Sequence, residues 1–513
     1  MNLNKIKKAL ISVSDKTNIV ELAKFLAENN VEIISTGGTY KTLQENNIPV
    51  KKVSEITKFP EILDGRVKTL HPNIHAGLLA NLDLADHQSQ LDEHQISKID
   101  LVVLNLYPFE EVLNSGANHA DMIENIDIGG PAMLRASAKN YKHTTVVTSP
   151  AQYDELMSIL KDNDFQTTYD FRVKLSMQAF SLTSFYDSMI ANYFKQKLEL
   201  DTAFLNIGAR KLEDLRYGEN PVQNAAVYGD FYKIFKKFHG KDLSYNNIVD
   251  IDASAKLILE FEGENACAII KHTNPSGVGI GDNLKEAYLK AFATDNVSPF
   301  GGIFCFNQNV NLETAEEIHK IFSEVIIAPS YDEDALELLK TKKDRRLVIV
   351  DLEKLKNSLQ VEVKSVSGGF LVQDYDKELF NPSDVKTVTK REITEDEYKS
   401  LMFAWKVAKH VKSNAIVYCA KDRTLGVGAG QMSRVDSARI AREKAKQMGL
   451  DLKGSVLASD AFFPFADGLE MAADAGSTAV IQPGGSIRDN EVIEAADKHN
   501  IAMVFTGSRH FKH

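Results

Sequence analysis

One stretch pairs an ammonium with an imidazole. In Lys271-His272-Thr-Asn-Pro-Ser-Gly277 the two side chains adjoin at the end of a buried apolar run, CAII. A histidine titrating near neutrality beside a lysine suits general-base catalysis with electrostatic support. A lone histidine is more often structural, but the neighbouring lysine, the strand-end position and the glycine-rich loop favour catalysis. A second set lies nearer the N-terminus. In Gly65-Arg-Val-Lys-Thr-Leu-His71-Pro, Arg66 and Lys68 are two apart, so an extended segment puts both cations on one face, able to hold a phosphate or an oxyanion. A solvated charged loop is the plain alternative. Ser35-Thr-Gly-Gly-Thr39 offers backbone N–H groups, hydroxyls and two glycines at a helix start, which fits a phosphate cradle as well as an ordinary turn. Asp127 in IDIGG and Lys139 in RASAKN bracket a glycine-led helix with an acceptor and a donor. Tyr107, at a strand end, can donate a proton, although tyrosines there usually pack.

The elements that must position these groups alternate. Apolar runs at Lys8 to Val13, Val31 to Ser35, Ile99 to Leu106 and Thr144 to Thr148 read as strands. Between the first pairs, Ile19 to Asn29 and Tyr40 to Asn46 read as amphipathic helices, which predicts a mainly parallel, doubly wound sheet. Ligands bind outside the carboxyl ends of such strands. Ser12-Val-Ser-Asp-Lys16, the STGGT turn, Asn105-Leu-Tyr-Pro108 and the loop between the third and fourth strands should therefore share one crevice. Phe171, Leu175, Ala179, Leu182, Phe185, Met189 and Tyr193 recur at helical spacing and read as a core or interface stripe. A domain boundary is placed near residues 199 to 203. Beyond it lies a weak repeat: Asn265-Ala266 and Asn414-Ala415 each begin 12 residues before a glycine run, GVGIG and GVGAG, with a helix pattern after each. Two related α/β lobes are expected, meeting between Asp374 and Glu397. Neither glycine run has the full GxGxxG spacing and there is no GxxxxGK[ST], so nicotinamide and ATP readings are weak. Zinc deamination lacks its HxE and PCxxC motifs.

The chain has 513 residues, which suggests about three to four domains. Hydrophobic residues make up 43% and charged residues 26%, an ordinary globular composition. Sixty Lys plus Arg against 71 Asp plus Glu give a net charge of −11, the wrong sign for a nucleic-acid binder. Cys267, Cys305 and Cys419 are far apart and suggest no zinc ribbon or disulfide framework, in keeping with a reducing, cytoplasmic setting. The apolar part of the N-terminus, Ala9 to Val13, is too short for a signal peptide, and no stretch is long enough for a membrane span.

Read together, the strings are specific. SVSDKT, STGGT, GRVKTLHPNIHAG, NLYPF, IDIGGPAMLRASAKN, LRYGENPVQ, KHTNPSGVGIG, SNAIVYCAKD, GVGAGQMSR, SDAFFPFADG and SRHFKH occur in the order seen in one family. From about Lys8 to His513 the chain resembles the bifunctional purine biosynthesis family, in which a phosphoribosylaminoimidazolecarboxamide formyltransferase is joined to an IMP cyclohydrolase. The resemblance implies an α/β fold: a methylglyoxal-synthase-like doubly wound parallel sheet over residues 1–200, then a formyltransferase over 201–513. The latter comprises two zinc-free, cytidine-deaminase-like lobes, about 201–380 and 381–513. It implies formyl transfer from 10-formyltetrahydrofolate to aminoimidazole carboxamide ribonucleotide, then dehydrative closure to IMP, with neither metal nor nicotinamide. For formyl transfer, Lys271 and His272 match the central pair and Asn414 an orienting group. Arg216, Tyr217 and Arg509 match nucleotide contacts, while Phe300, Gly301, Phe462 and Asp467 match positions around substrate or folate. Glu324 stands where the family has an aspartate that contacts the nucleotide. For ring closure, Asp127 and Tyr107 match proton-handling positions and Lys68 and Lys139 cationic donors. Ser12, Lys16, Thr36, Gly38, Thr39, Arg66 and Thr69 match phosphate and ribose contacts. The resemblance also implies a homodimer with no nucleic-acid or membrane partner.

Overall fold

The β-branched runs of the N-terminal part fold as β1 (Lys8–Ser12), β2 (Glu32–Ser35), β3 (Lys51–Lys52), β4 (Leu101–Leu104) and β5 (Thr145–Val147) in a computed structural model that describes residues 3–200, 202–298 and 300–513. All pair in parallel, in the order β3-β2-β1-β4-β5. The chain leaves β1 for β2 on one side and returns to β4 on the other, so the switch point lies at the carboxyl end of β1. Helix α1 (Ile19–Glu28) buries Ile19, Leu22, Ala23 and Leu26, one stripe at helical spacing, against the sheet. Each of the isoleucine and leucine side chains contributes about 1.5–3 kcal/mol. Helix α2 (Gly37–Glu45) begins three residues earlier than its apolar pattern predicts, because both glycines of STGGT enter its first turn after Thr36. The glycine-led segment after Asp127 forms α3 (Gly129–Lys139), and the aromatic stripe forms a single 30-residue helix, α4 (Tyr169–Leu198). Thr168 caps α4 by accepting the Phe171 N–H.

The chain divides into two compact units, Met1–Ala209 and Arg210–His513. Asp201, the first residue of the expected second domain, lies outside the described residues. The second unit holds two six-stranded sheets. In the first, β6 (Phe235–His239), β7 (Asn265–Lys271), β8 (Asn274–Gly281), β9 (Ile303–Phe306), β10 (Val325–Ala328) and β11 (Arg346–Val350) run in the order β6-β11-β10-β9-β7-β8. In the second, β12 (Lys386–Thr387), β13 (Ile416–Cys419), β14 (Thr424–Gly428), β15 (Val456–Ser459), β16 (Ala479–Gln482) and β17 (Ala502–Phe505) repeat it as β12-β17-β16-β15-β13-β14. Strand directions repeat as well: the fourth, fifth and sixth strands of each sheet pair in parallel and the other pairs are antiparallel.

The run GVGIG lies within β8 and the first three residues of GVGAG within β14. A helix crosses each strand so closely that a Cβ on Gly277 would lie 1.9 Å from the Ala291 carbonyl oxygen, and one on Gly428 1.9 Å from that of Ser437. The helices are α6 (Leu284–Thr294) and α8 (Arg434–Gln447). Glycine is required here by packing. The two lobes join edge to edge: the Val278 N–H donates to the Thr424 hydroxyl (2.9 Å) and the Ile280 N–H to the Asp422 carbonyl (2.9 Å). One core runs through both, bringing Ile258 and Phe261, beyond α5 (Tyr245–Ile258), together with Leu401 and Trp405 of α7 (Glu395–Ala408).

Candidate active sites

In the first unit a cavity of about 550 Å³ opens at the switch point. Ser12 ends β1 and its hydroxyl bonds that of Thr36 (2.9 Å), the residue before α2. Lys16 and Lys68 converge on the same helix start: a Cβ on Gly38 would lie 3.8 Å from the Lys16 Nζ, and one on Gly37 3.9 Å from the Lys68 Nζ. Two ammonium groups, two hydroxyls and a helix N-terminus make an anion cradle. Thr39 faces the cavity with its hydroxyl already engaged, accepting the Val13 N–H and donating to the Val13 carbonyl (3.0 Å each), so it shapes the loop. Asn105, just past β4, holds the same loop by accepting the Ser14 and Asp15 N–H groups (2.6 and 3.0 Å). Arg66 reaches across the mouth to Glu124.

Asp127 accepts the Gly130 N–H (2.8 Å) at the start of α3. Burial raises its carboxyl above the usual range, against the opposing pull of the Gly130 and Tyr107 backbone N–H groups and the Lys68 charge. Gly130 admits no side chain, since a Cβ there would lie 2.3 Å from Asp127 Oδ2. Tyr186 on α4 fixes the loop from behind: its hydroxyl accepts the Asp127 N–H (2.8 Å) and donates to the Asn125 carbonyl (3.1 Å). Tyr107 and Thr69 also line the cavity. Lys139 does not. It is exposed at the far end of α3, about 15 Å along the helix axis from the glycines that face Asp127, so the two residues bracket the helix as expected and only Asp127 faces the cavity.

In the second unit Lys271, His272, Asn274 and Ser276 line a cleft of about 340 Å³ together with Thr294, Asp295, Gln431 and Lys444. His272 and Thr273 form a two-residue turn between β7 and β8, with φ of 51° and 61°. Such a pair of left-handed non-glycine residues costs on the order of 1–2 kcal/mol each and persists only where the surroundings enforce it. Lys271 donates to the Phe300 carbonyl (3.0 Å). Gly301 brings the groups together: a Cβ there would lie 3.6 Å from the Lys271 Nζ and 3.7 Å from Glu324 Oε2. Glu324 in turn accepts from Asn247 (3.1 Å) and Arg346 (3.2 Å). Lys271, Phe300, Gly301 and Glu324 thus form one locus.

The remaining expected residues stand elsewhere. Asn414 does not line the cleft; its Nδ2 donates to the carbonyl of Gln431 (2.8 Å), which does. Next to it, Ser413 and Arg434 bond the buried Asp460 (2.5 and 3.1 Å), and the C-terminal segment docks there through Lys512 N–H to the Ser413 hydroxyl (3.0 Å). Arg509 lies over the Phe511 ring, 4.3 Å from its centroid. Phe462 and Asp467 follow Asp460 without lining the cleft, and Asp467 accepts the Gly468 N–H instead (2.7 Å). Arg216 and Tyr217 stack on each other in a loop tied to α5 by Asn246, which donates to the Glu219 carbonyl (3.3 Å). Sequence reasoning passed over Asn247, Asp250, Arg346, Glu124 and Tyr186. The first two offered only polar residues three apart on one helix, and the turn and the glutamate they reach are distant in sequence. Tyr186 had none, being one aromatic among many on α4.

Known proteins match both units. An MGS-like domain model matches residues 18–132, and a model of the AICARFT/IMPCHase bienzyme matches residues 137–444. The bifunctional purine biosynthesis protein PurH of Chlorobaculum parvum is 54% identical over 520 residues, covering 99% of both chains. Those of Chlorobium chlorochromatii and Rhizobium rhizogenes are 54% and 53% identical, with 99% of this chain covered and 99% and 97% of theirs. The chain therefore belongs to the AICARFT/IMPCHase bienzyme family and carries its two activities, formyl transfer to aminoimidazole carboxamide ribonucleotide and closure of the formylated product to IMP.

Proposed function

We propose that the two reactions are divided between the two cavities, with ring closure in the first unit and formyl transfer in the second. The observation that carries this reading is the segregation of chemistry. The half-buried carboxylate of Asp127 faces an anion cradle in one unit, and the Lys271-His272 pair faces a cleft in the other.

For ring closure, the ribonucleotide phosphate sits on Ser12, Lys16, Thr36 and Gly38 at the start of α2, with Arg66 released from Glu124 to cover it. The carboxamide nitrogen attacks the formyl carbon and forms the new C–N bond. Asp127 accepts the amide proton, a role for which a carboxylate of raised basicity is suited. Lys68 holds the oxyanion that develops and Tyr107 protonates it to a hydroxyl; the C–O bond then breaks as the C=N bond forms with loss of the formamido N–H proton, which returns to Tyr107, and the proton taken up by Asp127 goes to the hydroxyl, which departs as water. For formyl transfer, the amino group of the ribonucleotide attacks the formyl carbon of 10-formyltetrahydrofolate. That nitrogen is conjugated with its ring and is a weak nucleophile, so His272 removes its proton as the bond forms. Lys271 stabilises the oxyanion, the bond to the folate nitrogen breaks, and that nitrogen is protonated. Phe300, Gly301 and Glu324 place the substrate beside Lys271. Asn414, Arg216, Tyr217, Arg509, Phe462 and Asp467 act from the segments around the cleft. The reading includes a cytoplasmic homodimer that needs neither metal nor nicotinamide.

The test supplies purified protein with 10-formyltetrahydrofolate and the aminoimidazole ribonucleotide and follows IMP. His272→Ala is expected to abolish formyl transfer while leaving closure of supplied formylated intermediate nearly intact, and Asp127→Ala to do the reverse. Loss of both activities in either well-folded variant would sink the division between sites.

A further inference from the structure

The turn that carries His272 lacks the residues that usually make such a turn. A two-residue connection with both φ values positive favours asparagine and glycine, whereas this one has histidine and threonine. The second lobe avoids the problem: β13 and β14 pair Cys419 with Thr424, leaving four residues between them, none with positive φ. The left-handed turn thus belongs to the lobe that holds the histidine and not to the corresponding reversal of the other, and some other group must enforce it.

That group is on α5. Asp250 lies three residues beyond Asn247, so both side chains leave the same helix face. Asn247 reaches Glu324, and Asp250 reaches the turn. Asp250 Oδ1 accepts the Thr273 N–H at 2.7 Å, and the His272 N–H also stabilises the carboxylate. The ionisable groups facing it are Lys271 and His272. Asp250 itself does not line the cleft.

We propose that Asp250 is the positioning residue of the formyl-transfer base, its carboxylate clamping the backbone of the His272-Thr273 turn and so fixing the direction of the imidazole. The inference rests on the reading of His272 as the base. Asp250 touches no reacting atom. Without it, two non-glycine residues lose the bond that holds them left-handed, the turn relaxes, and the imidazole shifts within the cleft that Lys271 also lines. The locus around Glu324 is untouched, so the loss falls on kcat rather than on nucleotide binding.

The experiment compares wild type, Asp250→Ala, Asp250→Ala with Thr273→Gly, and His272→Ala, measuring kcat and KM for formyl transfer and, in the same preparations, ring closure. Asp250→Ala is expected to lower kcat about 10- to 100-fold, the scale of a small misplacement of a catalytic group. KM for the ribonucleotide and ring closure should be unchanged. Glycine adopts the left-handed conformation without help, so adding Thr273→Gly is expected to recover most of the lost kcat. Wild-type kcat in Asp250→Ala, a loss confined to KM, or a double variant as slow as the single one each overturn the clamp. If Asp250→Ala fails to fold, the double variant decides: kcat near wild type supports the clamp, and kcat ten-fold or more below overturns it. Formyl transfer that survives His272→Ala removes the base reading and this inference with it. An inactive His272→Ala beside a fully active Asp250→Ala removes the inference alone.

Discussion

Asp127 shows how one residue is set up at the expense of stability. Its carboxyl is half-buried, which raises it above the usual range, and a group whose folded pKa lies above its unfolded value stabilises the fold only at low pH. That contribution is lost as pH rises through the folded value, so at neutral pH the ionised carboxylate is a net burden on the first unit. Asp127→Asn keeps an acceptor for the Gly130 N–H and removes the charge. It is expected to raise the thermal midpoint of the first unit at pH 7.5, measured by calorimetry, while abolishing ring closure. The neighbouring glycine gives a second test. A Cβ at position 130 would lie 2.3 Å from Asp127 Oδ2 and 2.9 Å from Leu106 Cδ2, so Gly130→Ala must push the carboxylate aside. Ring closure is expected to fall about 100-fold or more, with formyl transfer retained. Equal loss of both activities would mean a fold defect.

At the scale of elements, the glycine strands separate packing from ligand binding. Gly428→Ala forces a methyl against the Ser437 carbonyl oxygen, a backbone atom that moves only if α8 moves. A cost of about 1–3 kcal/mol or more is expected from such overpacking, read as a lower urea midpoint of the second unit. Gly369→Ala, where nothing lies within 4 Å, is the control and should stay within about 0.5 kcal/mol. The same strands show what the sequence made legible. The 12-residue offset marked the repeat because a strand, a short reversal and a glycine strand under a helix recur in both lobes. It did not reveal that the glycines lie inside strands, since a helix crossing at van der Waals distance leaves no trace beyond the glycines themselves. In the first unit, strand ends were readable from apolar runs, so most of the cradle was as well. Lys139 was not placed by that logic. Its distance from Asp127 depends on the helix between them, and eleven helical residues carry the lysine away from the cavity. Asp250 and Asn247 gain meaning only once α5 is laid against the turn and Glu324.

Across the molecule, the second unit is held as one body by a charged cluster sealed between its lobes. Glu260, on the turn after α5 in the first lobe, accepts from Lys409 and His410 of the second, both at 2.9 Å. Burial alone would raise the Glu260 carboxyl, but His410 and Lys409 hold it below the usual range. His410 is driven the other way: burial pushes it down to about 4 in spite of Glu260, and its Nδ1 has no partner among the described residues, so the ring is neutral with its proton on Nε2. The sign follows from proton counting. Below about pH 6.5 the unfolded chain protonates this histidine and the folded chain does not, so stability is lost as pH falls from about 6.5 to about 4 and no further below that. His410→Gln retains a side-chain N–H donor and cannot titrate. It is expected to lose distinctly less stability than wild type between pH 7.5 and 4.5, even if its stability at pH 7.5 is somewhat lower. The readout is specific to this unit, because the single tryptophan of the chain, Trp405, is buried in the core that the two lobes share. Urea unfolding followed by its fluorescence at pH 7.5, 5.5 and 4.5 therefore reports the second unit alone. Parallel losses in wild type and variant would show that the seal between the lobes is not the acid-sensitive element.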